Sequence, residues 1–239
     1  MLFASYPGFF GLVILYEIGY NDVNRENRLV SGNGQKSVLL IVQYIRGEEM
    51  EAQKLLDILS VAEKLKCNTR HCYTSSGRKE SVAEHSWRLG LMAMLIAGEA
   101  EFQDADMNKV IQMCLIHDLG EAFTGDIPAF AKVESDAQKE EEIYENWVAG
   151  FPEPQRTQFQ ELLKEMEALE TKEAKIYKAL DKLEAVIQHD ESDIATWIPL
   201  EYDLQLEYGK EQVKFSPYFK NLKSVIDEWT RNKIAEAQK

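Results

Sequence analysis

The chain has 239 residues, of which 45% are hydrophobic, so it can bury one sizeable core. Its formal net charge is −14 and its sequence pI is about 4.8. An acidic surface repels polymeric phosphate, which argues against a nucleic-acid-binding module but allows a small phosphate ester as a ligand. The three cysteines form no framework of pairs and predict thiols in a reducing cytoplasm: Cys67, Cys72 and Cys114.

Residues 1–49 differ from the rest of the sequence. Two apolar runs, 9–20 and 37–45, are separated by a polar, turn-rich stretch. Both runs are shorter than the roughly 18 residues of a membrane span, and no basic segment or cleavage site indicates a secretory signal. We expect an N-terminal extension of uncertain structure. Three alternatives stay open, in order of preference: a segment without a defined fold, a short hairpin packed on the domain, or a tail that touches a membrane.

From Met50 onward the pattern is helical. One helix face is predicted from the three- and four-residue spacing of Leu55, Leu56, Leu59, Ala62 and Leu65, and we expect that face to pack in the core. Residues 67–79, rich in Ser, Thr and Gly, predict a loop. Because no stretch after Met50 alternates like a strand, the predicted fold is all-α, a single helical bundle over residues 50–239. The later predicted helices are 81–101, 107–122, 134–149, 156–169, 171–188 and 218–237.

Polar residues interrupt the apolar pattern of the helix at 107–122. An apolar run ends in the pair His117-Asp118, and Glu121 follows on or near the same helical face. Buried charges are rare unless they are paired or bind a metal. Imidazole and carboxylate are both metal ligands. The sequence therefore favours one wall of a metal site over a helix with an unusually polar end.

Further ligands must come from other helices. Ser81 and Glu84 have the spacing of a capping box, which places His85 in the second turn of the helix that follows. Asp181 is an acid flanked by leucines in a strongly helical stretch. Its alternative interpretation is an exposed acid paired with a neighbouring lysine.

These residues carry a resemblance to a known family. The order of His85, His117-Asp118 and Asp181 resembles the HD-domain metal-dependent phosphohydrolases. The finer match is to their 5'-deoxynucleotidase branch: Glu80-Ser-Val-Ala-Glu-His85 resembles its first motif, and the run HDLGEAFTGDI at 117–127 resembles its second. The resemblance covers roughly residue 50 to the C-terminus.

The resemblance implies one divalent metal ion held by His85, His117, Asp118 and Asp181. Co²⁺ or Mn²⁺ is favoured, and Zn²⁺, Fe²⁺ and Mg²⁺ are possible. Glu121 is implied as the group that handles protons. Asp126, on the loop that Gly125 and Pro128 create, is implied as a second catalytic or sugar-contacting acid.

The substrate-binding candidates are Arg70, His71, Arg78 and Lys79. By resemblance, Arg70 matches a phosphate clamp, since its planar fork suits phosphate oxygens. His71 stands where the branch usually carries tryptophan, as a platform for the sugar. Arg78 and Lys79 are candidates for assisting Arg70.

The implied reaction is hydrolysis of a (deoxy)nucleoside 5'-monophosphate to nucleoside and phosphate. The implied protein is a cytoplasmic homodimer with a small-molecule substrate and with no nucleic-acid polymer or membrane as a partner. One alternative is an HD-type phosphodiesterase, which commonly binds two metals through extra histidines. No histidine lies between His117 and His189, which favours one metal. The other alternative is a non-catalytic helical scaffold.

Overall fold

The computed structural model describes residues 50–238. The expected extension at 1–49 therefore lies outside the described residues, and its assignment as a separate domain stays a prediction. The helices are α1 Ala52–Ala62, α2 Val82–Ile96, α3 Met107–Ile116, α4 Glu121–Thr124, α5 Glu134–Ala149, α6 Gln155–Ala168, α7 Lys172–Glu191, α8 Glu201–Glu207 and α9 Pro217–Ala237. Two short strands are β1 Thr69–Tyr73 and β2 Lys79–Ser81, and short 3₁₀ turns cover Glu63–Lys66, Ala100–Phe102 and Ile194–Thr196.

The core lies between four helices. Helix α2 packs against α3, both pack against α7, and α9 covers the other side of α7. Leu89 of α2, Met113 of α3 and Leu183 of α7 are fully buried where these helices meet. The all-α prediction is confirmed. Among the described residues, no helix combines the length and apolarity needed to cross a membrane.

A small hairpin replaces the loop that the sequence predicts at 67–79. Strands β1 and β2 pair antiparallel, with Thr69 opposite Ser81 and Tyr73 opposite Lys79. Gly77 supplies a φ of +83° in the turn between them. The loop prediction was wrong because β1 is short and largely polar, so period-two alternation is not visible in it. The hairpin places Arg70 and Cys72 against the helical core.

The expectation that the leucine face packs in the core was wrong for helix α1, although Leu65, in the 3₁₀ turn after it, is buried. Leu55, Leu56 and Leu59 are 44%, 58% and 53% exposed, and α1 contains no buried residue. Their spacing predicted the helix correctly, but periodicity identifies a face and does not identify what that face contacts. Within the described residues, this leucine face is open to solvent.

Helix α7 is the central element of the bundle. Thr171 caps its N-terminus, where the hydroxyl accepts a hydrogen bond from the backbone N–H of Ala174 at 3.1 Å. At its other end, the Thr230 hydroxyl of α9 donates to Asp190 Oδ2 at 2.8 Å. Both ends of α7 are therefore fixed, so the side chains along its inner face have defined positions.

Candidate active site

Helix α2 brings His85 into the core. The expected capping box is present: Ser81 N donates to Glu84 Oε2 at 2.9 Å, and Glu84 N donates to Ser81 Oγ at 3.3 Å. This cap fixes the first residue of the helix and therefore the direction of each later side chain. His85 points inward and is 0% exposed.

His117 and Asp118 lie just past the end of α3. The helix ends at Ile116, earlier than the predicted 107–122, and a turn leads to the short helix α4. His117 Nδ1 lies 2.9 Å from the carbonyl oxygen of Cys114. Because a carbonyl only accepts, Nδ1 carries a proton, and Nε2 is the nitrogen that faces Asp118 and His85.

Asp181 approaches the same point from α7. Its Oδ1 lies 3.4 Å from His85 Nε2 and 3.9 Å from His117 Nε2. Its other oxygen, Oδ2, pairs with Lys178 at 3.0 Å and with Lys182 at 3.2 Å. The lysine pairing raised as an alternative from the sequence is thus present together with the inward orientation, because each interaction uses a different carboxylate oxygen.

The four donors converge. His85 Nε2 and His117 Nε2 are 3.3 Å apart, and Asp118 Oδ2 lies 3.9 Å and 3.0 Å from them. Two ligands of one ion, each about 2.1 Å from it, lie no more than about 4.2 Å apart. All of these distances, and the two from Asp181, are below that limit. His85, His117 and Asp118 therefore offer ligand atoms within 4.8 Å of one another that fit one divalent cation, and Asp181 lies within the limit of both imidazoles.

Electrostatics keeps both carboxylates ionised. Burial raises the pKa of Asp118, but His117 and His85 outweigh that effect and hold it below its usual range. For Asp181, burial is likewise outweighed by Lys178 and Lys182, so its pKa is well below the ordinary value. Carboxylates in this state are competent metal ligands.

Glu121 and Asp126 lie at the edge of this cluster. Glu121 begins α4 and is 5% exposed, and its Oε2 has no hydrogen-bond partner among residues 50–238. Burial, with Asp118 and Asp126 nearby, raises the pKa of Glu121 to about 10. Burial also raises the pKa of Asp126, which follows the turn at Gly125, where φ is +77°. Glu121 thus holds a proton at neutral pH when no cation is near.

A cavity of about 70 Å³ opens beside Arg70. Arg70 Nη1 lies 3.3 Å from Glu80 and 3.4 Å from Glu184, so two buried carboxylates hold the guanidinium in place. His71 forms part of the cavity wall: its Nε2 is 3.1 Å from Glu201 Oε1, and its ring meets Phe130 edge-on at 5.3 Å. The lining residues are Arg70, His71, Ala129, Phe130, Ala185, His189, Glu201, Leu204, Gln205 and Tyr208.

Arg78 and Lys79 lie away from this cavity. The Arg78 guanidinium is 58% exposed and pairs with Glu84, which also caps α2. Lys79 is exposed, and its ammonium lies over the Tyr73 ring at 5.9 Å from the centroid. Their assistance in substrate binding stays a prediction, to which these contacts lend no support.

The lysines that flank Asp181 were considered from the sequence, but the carboxylate that supports His85 was not. Glu184 is fully buried against His85. A signal for Glu184 was available, since it lies three residues after Asp181 among apolar positions of α7 and shares its helical face. The pairing with His85 was not visible, because it joins residues 99 apart.

Comparison with known proteins identifies the class. A family model described as HD domain matches residues 62–223. The chain belongs to the HD domain family, and it is an enzyme of the hydrolase class. The fold family and the donor set together imply a bound divalent metal ion.

The chain is similar to proteins named 5'-deoxynucleotidase and to a solved structure of a phosphohydrolase. The chain is 32% identical over 144 residues to the Homo sapiens protein named 5'-deoxynucleotidase HDDC2, covering 59% of this chain and 69% of that protein. It is 30% identical over 189 residues to the Xenopus laevis protein of the same name, covering 77% and 91%. A solved structure, titled a predicted metal-dependent phosphohydrolase from Magnetospirillum magnetotacticum, is similar with a TM-score of 0.63 and 25% identity, covering 77% and 95%.

Proposed function

We propose that this chain is a metal-dependent phosphomonoesterase that hydrolyses (deoxy)nucleoside 5'-monophosphates to nucleoside and phosphate. The observation that carries the proposal is the convergence of His85, His117, Asp118 and Asp181 from separate elements on one small volume. The similarity to proteins named 5'-deoxynucleotidase supports this choice of substrate class.

The proposed cofactor is one divalent ion held by these four side chains. A set of imidazole and carboxylate donors suits first-row transition ions, and we favour Co²⁺ or Mn²⁺ over Zn²⁺, Fe²⁺ and Mg²⁺. When bound, such an ion supplies Lewis acidity toward a phosphoryl oxygen and lowers the pKa of coordinated water. The described chain adds positive charge beside the site through Lys178 and Lys182.

Arg70 is proposed to bind the substrate phosphate. It lines the cavity, and its side chain is 15% exposed, with Glu80 and Glu184 holding it in place. An arginine held in advance loses little conformational entropy when it binds a phosphate. Its charge lies near the donors, since Glu184, 3.4 Å from Arg70 Nη1, also contacts Nδ1 of His85.

Glu121 is proposed to move the proton. Its raised pKa makes it a donor for the leaving 5'-oxygen, and a neighbouring cation would lower that pKa toward the working pH. Asp126 is proposed to contact the sugar or to orient Glu121.

The sugar of the nucleoside is proposed to enter the mouth of the cavity beside Arg70, since about 70 Å³ does not hold a whole nucleoside. His71 and Phe130 offer ring surfaces, and Gln205 contributes a buried amide. In the resembling branch, selection against the ribose 2'-hydroxyl depends on a larger ring at the position of His71. We therefore propose that this chain prefers deoxyribonucleotides, with discrimination limited by the smaller histidine.

The test is release of phosphate from dAMP and AMP after treatment with EDTA and after addition of single metals. We expect EDTA to abolish release, Mn²⁺ or Co²⁺ to restore it, and Asp118→Asn to prevent restoration. Asp57→Asn replaces an exposed aspartate of α1 and serves as the matched control. Turnover that persists in EDTA, or in Asp118→Asn, would contradict the proposal. Comparable turnover of AMP and dAMP would refute only the sugar preference.

A homodimer is proposed from the outer face of α2. This face carries an apolar stripe that is 63% exposed at Trp87, 61% at Met94 and 73% at Leu95, with Leu91 and Leu115 beside it. Such a contiguous apolar surface suits self-association of two copies around a twofold axis. Light scattering after gel filtration should give a dimer mass for the native chain and a monomer mass for Leu95→Glu. A native monomer would contradict this assignment.

The proposed location is the cytoplasm. Cys67 is exposed, Cys72 and Cys114 are buried, and none forms a disulfide. Free thiols of this kind are typical of a reducing compartment. The proposed partners are the small-molecule nucleotide and the second copy, and the net charge of −14 argues against a nucleic-acid polymer.

A further inference from the structure

The imidazole of His85 is held from both sides. Its Nε2 faces the proposed metal centre, 3.3 Å from His117 Nε2 and 3.4 Å from Asp181 Oδ1. Its Nδ1 makes a short contact with Glu184 Oε2. Both His85 and Glu184 are 0% exposed, so water does not compete for this contact.

Glu184 is itself paired with two arginines, of which Arg70 donates a hydrogen bond and Arg88 contributes only its nearby charge. Arg70 Nη1 lies 3.4 Å from its Oε2, and Arg88 Nε lies 3.6 Å from its Oε1. A carboxylate paired with guanidinium groups stays ionised and only accepts hydrogen bonds. The proton in the contact with His85 therefore sits on Nδ1, and Nε2 is the nitrogen left to coordinate a metal ion.

We propose that Glu184 is a positioning residue that fixes the tautomer and the ring orientation of His85, so that Nε2 is presented to the metal ion. The proposal rests on the metal centre of the proposed function. Outer carboxylates that hold a ligating histidine in this way raise its basicity and its affinity for metal. Because Glu184 also holds Arg70, it sets the metal ligand and the phosphate-binding arginine relative to each other.

Glu80 provides a matched comparison. It is buried to a similar degree, 2% exposed, and its carboxylate pairs with the same atom of Arg70 at 3.3 Å. It makes no hydrogen bond to His85 among the described residues; its other side-chain contact is with Cys72 at 3.2 Å. Glu80→Gln therefore removes a buried charge from Arg70 and leaves the support of His85 in place, whereas Glu184→Gln alters both.

The experiment measures metal affinity rather than activity alone. Binding of Mn²⁺ to the EDTA-treated full chain is followed by calorimetry for the native protein, Glu184→Gln, Glu184→Ala and Glu80→Gln. We expect the dissociation constant for Mn²⁺ to rise about 10- to 100-fold in Glu184→Ala. The rise should be smaller in Glu184→Gln, because its amide oxygen can still accept a hydrogen bond from His85 Nδ1. In Glu80→Gln it should stay below about threefold. The visible spectrum of bound Co²⁺ should shift in the Glu184 variants, because one ligand is displaced or reoriented.

A second readout separates positioning from a general structural role. At saturating Mn²⁺ we expect Glu184→Gln to regain most of its kcat for dAMP, since the ligand is weakened but still present. Urea unfolding of the metal-free forms checks the fold, and if Glu184→Ala does not fold, the comparison of Glu184→Gln with Glu80→Gln decides.

Equal metal affinity in the native chain and Glu184→Gln, or an equal loss in Glu80→Gln, would overturn the inference. A native chain that binds no metal would instead refute the proposed function on which the inference rests.

Discussion

Replacing Asp190 with asparagine should stabilise the fold at neutral pH. Asp190 is 2% exposed near the end of α7, and its Oδ2 accepts a hydrogen bond from Thr230. Its other oxygen, Oδ1, has no partner in the described part of the chain. Burial raises the pKa of Asp190 from an ordinary 3.8 to about 6. Above that pH the folded protein must hold a poorly solvated negative charge, which the neutral amide of the variant would lack.

The sign and size of the change in unfolding free energy follow from the linkage between protonation of Asp190 and folding. A raised carboxyl pKa has no effect on stability below about pH 3.8, where both states are protonated, and it reduces folded-state stability as the pH rises to about 6. A pKa shift of roughly two units lowers the stability of the native chain by at most about 3 kcal/mol at pH 7.5 and by about 1 kcal/mol at pH 4.5. Any effect of Asp190→Asn on packing is the same at both pH values. The difference between them, about 2 kcal/mol, therefore isolates the ionisation.

The assay is urea unfolding of the metal-free protein at pH 7.5 and pH 4.5. Asp203→Asn, at an exposed position of α8, is the control and should change stability by no more than about 0.5 kcal/mol at either pH. The reasoning fails if Asp190→Asn is no more stable than the native chain at pH 7.5. It fails equally if the gain is the same at both pH values.

Three further substitutions test the site and the core. Glu121→Ala should keep its metal, measured by calorimetry, yet lose about 10²- to 10⁴-fold in turnover, since general acid catalysis contributes that much; normal turnover would remove Glu121 from the mechanism. His71→Trp should raise the ratio of dAMP to AMP turnover by filling the cavity near the sugar, and an unchanged ratio would contradict that placement. Leu180→Ala should cost about 2–5 kcal/mol in urea unfolding, since Leu180 is 0% exposed, and a loss below about 1 kcal/mol would contradict its core position.

Local signals in the sequence were the ones that predicted structure correctly. The Ser81 and Glu84 pair located the first residue of α2, because a capping box depends only on residues three apart. His117 and Asp118 lie side by side as predicted, even though α3 ends before them, because adjacent residues stay close together in a turn as in a helix. Features of this kind need no knowledge of the tertiary fold.

Features that depend on distant parts of the chain could not be predicted. The leucine face of α1 showed a helical period, but whether Leu56 is buried depends on what packs against it. The hairpin depends on pairing between β1 and β2 more than on strand propensity. The support of His85 by Glu184 joins α2 to α7, and only the packed bundle reveals it.

The arrangement of the two inner histidines predicts that metal removal destabilises the protein. His117 Nδ1 donates to a carbonyl and His85 Nδ1 to Glu184, so the two Nε2 atoms face each other at 3.3 Å, next to Asp118. Without metal, burial and Arg70 lower the pKa of His85, but Glu184 and Asp181 outweigh them and raise it to about 9, so a proton occupies this position until a metal ion displaces it. The ion binds the folded chain, which brings the donors together, and not the unfolded one. Bound metal at 100 times its dissociation constant should add about 2.7 kcal/mol to the free energy of unfolding. The midpoint of urea unfolding should therefore rise with added Mn²⁺, and this rise should vanish in Asp118→Asn. An equal response to Mn²⁺ in the native chain and in the variant would show that the ion stabilises the protein elsewhere.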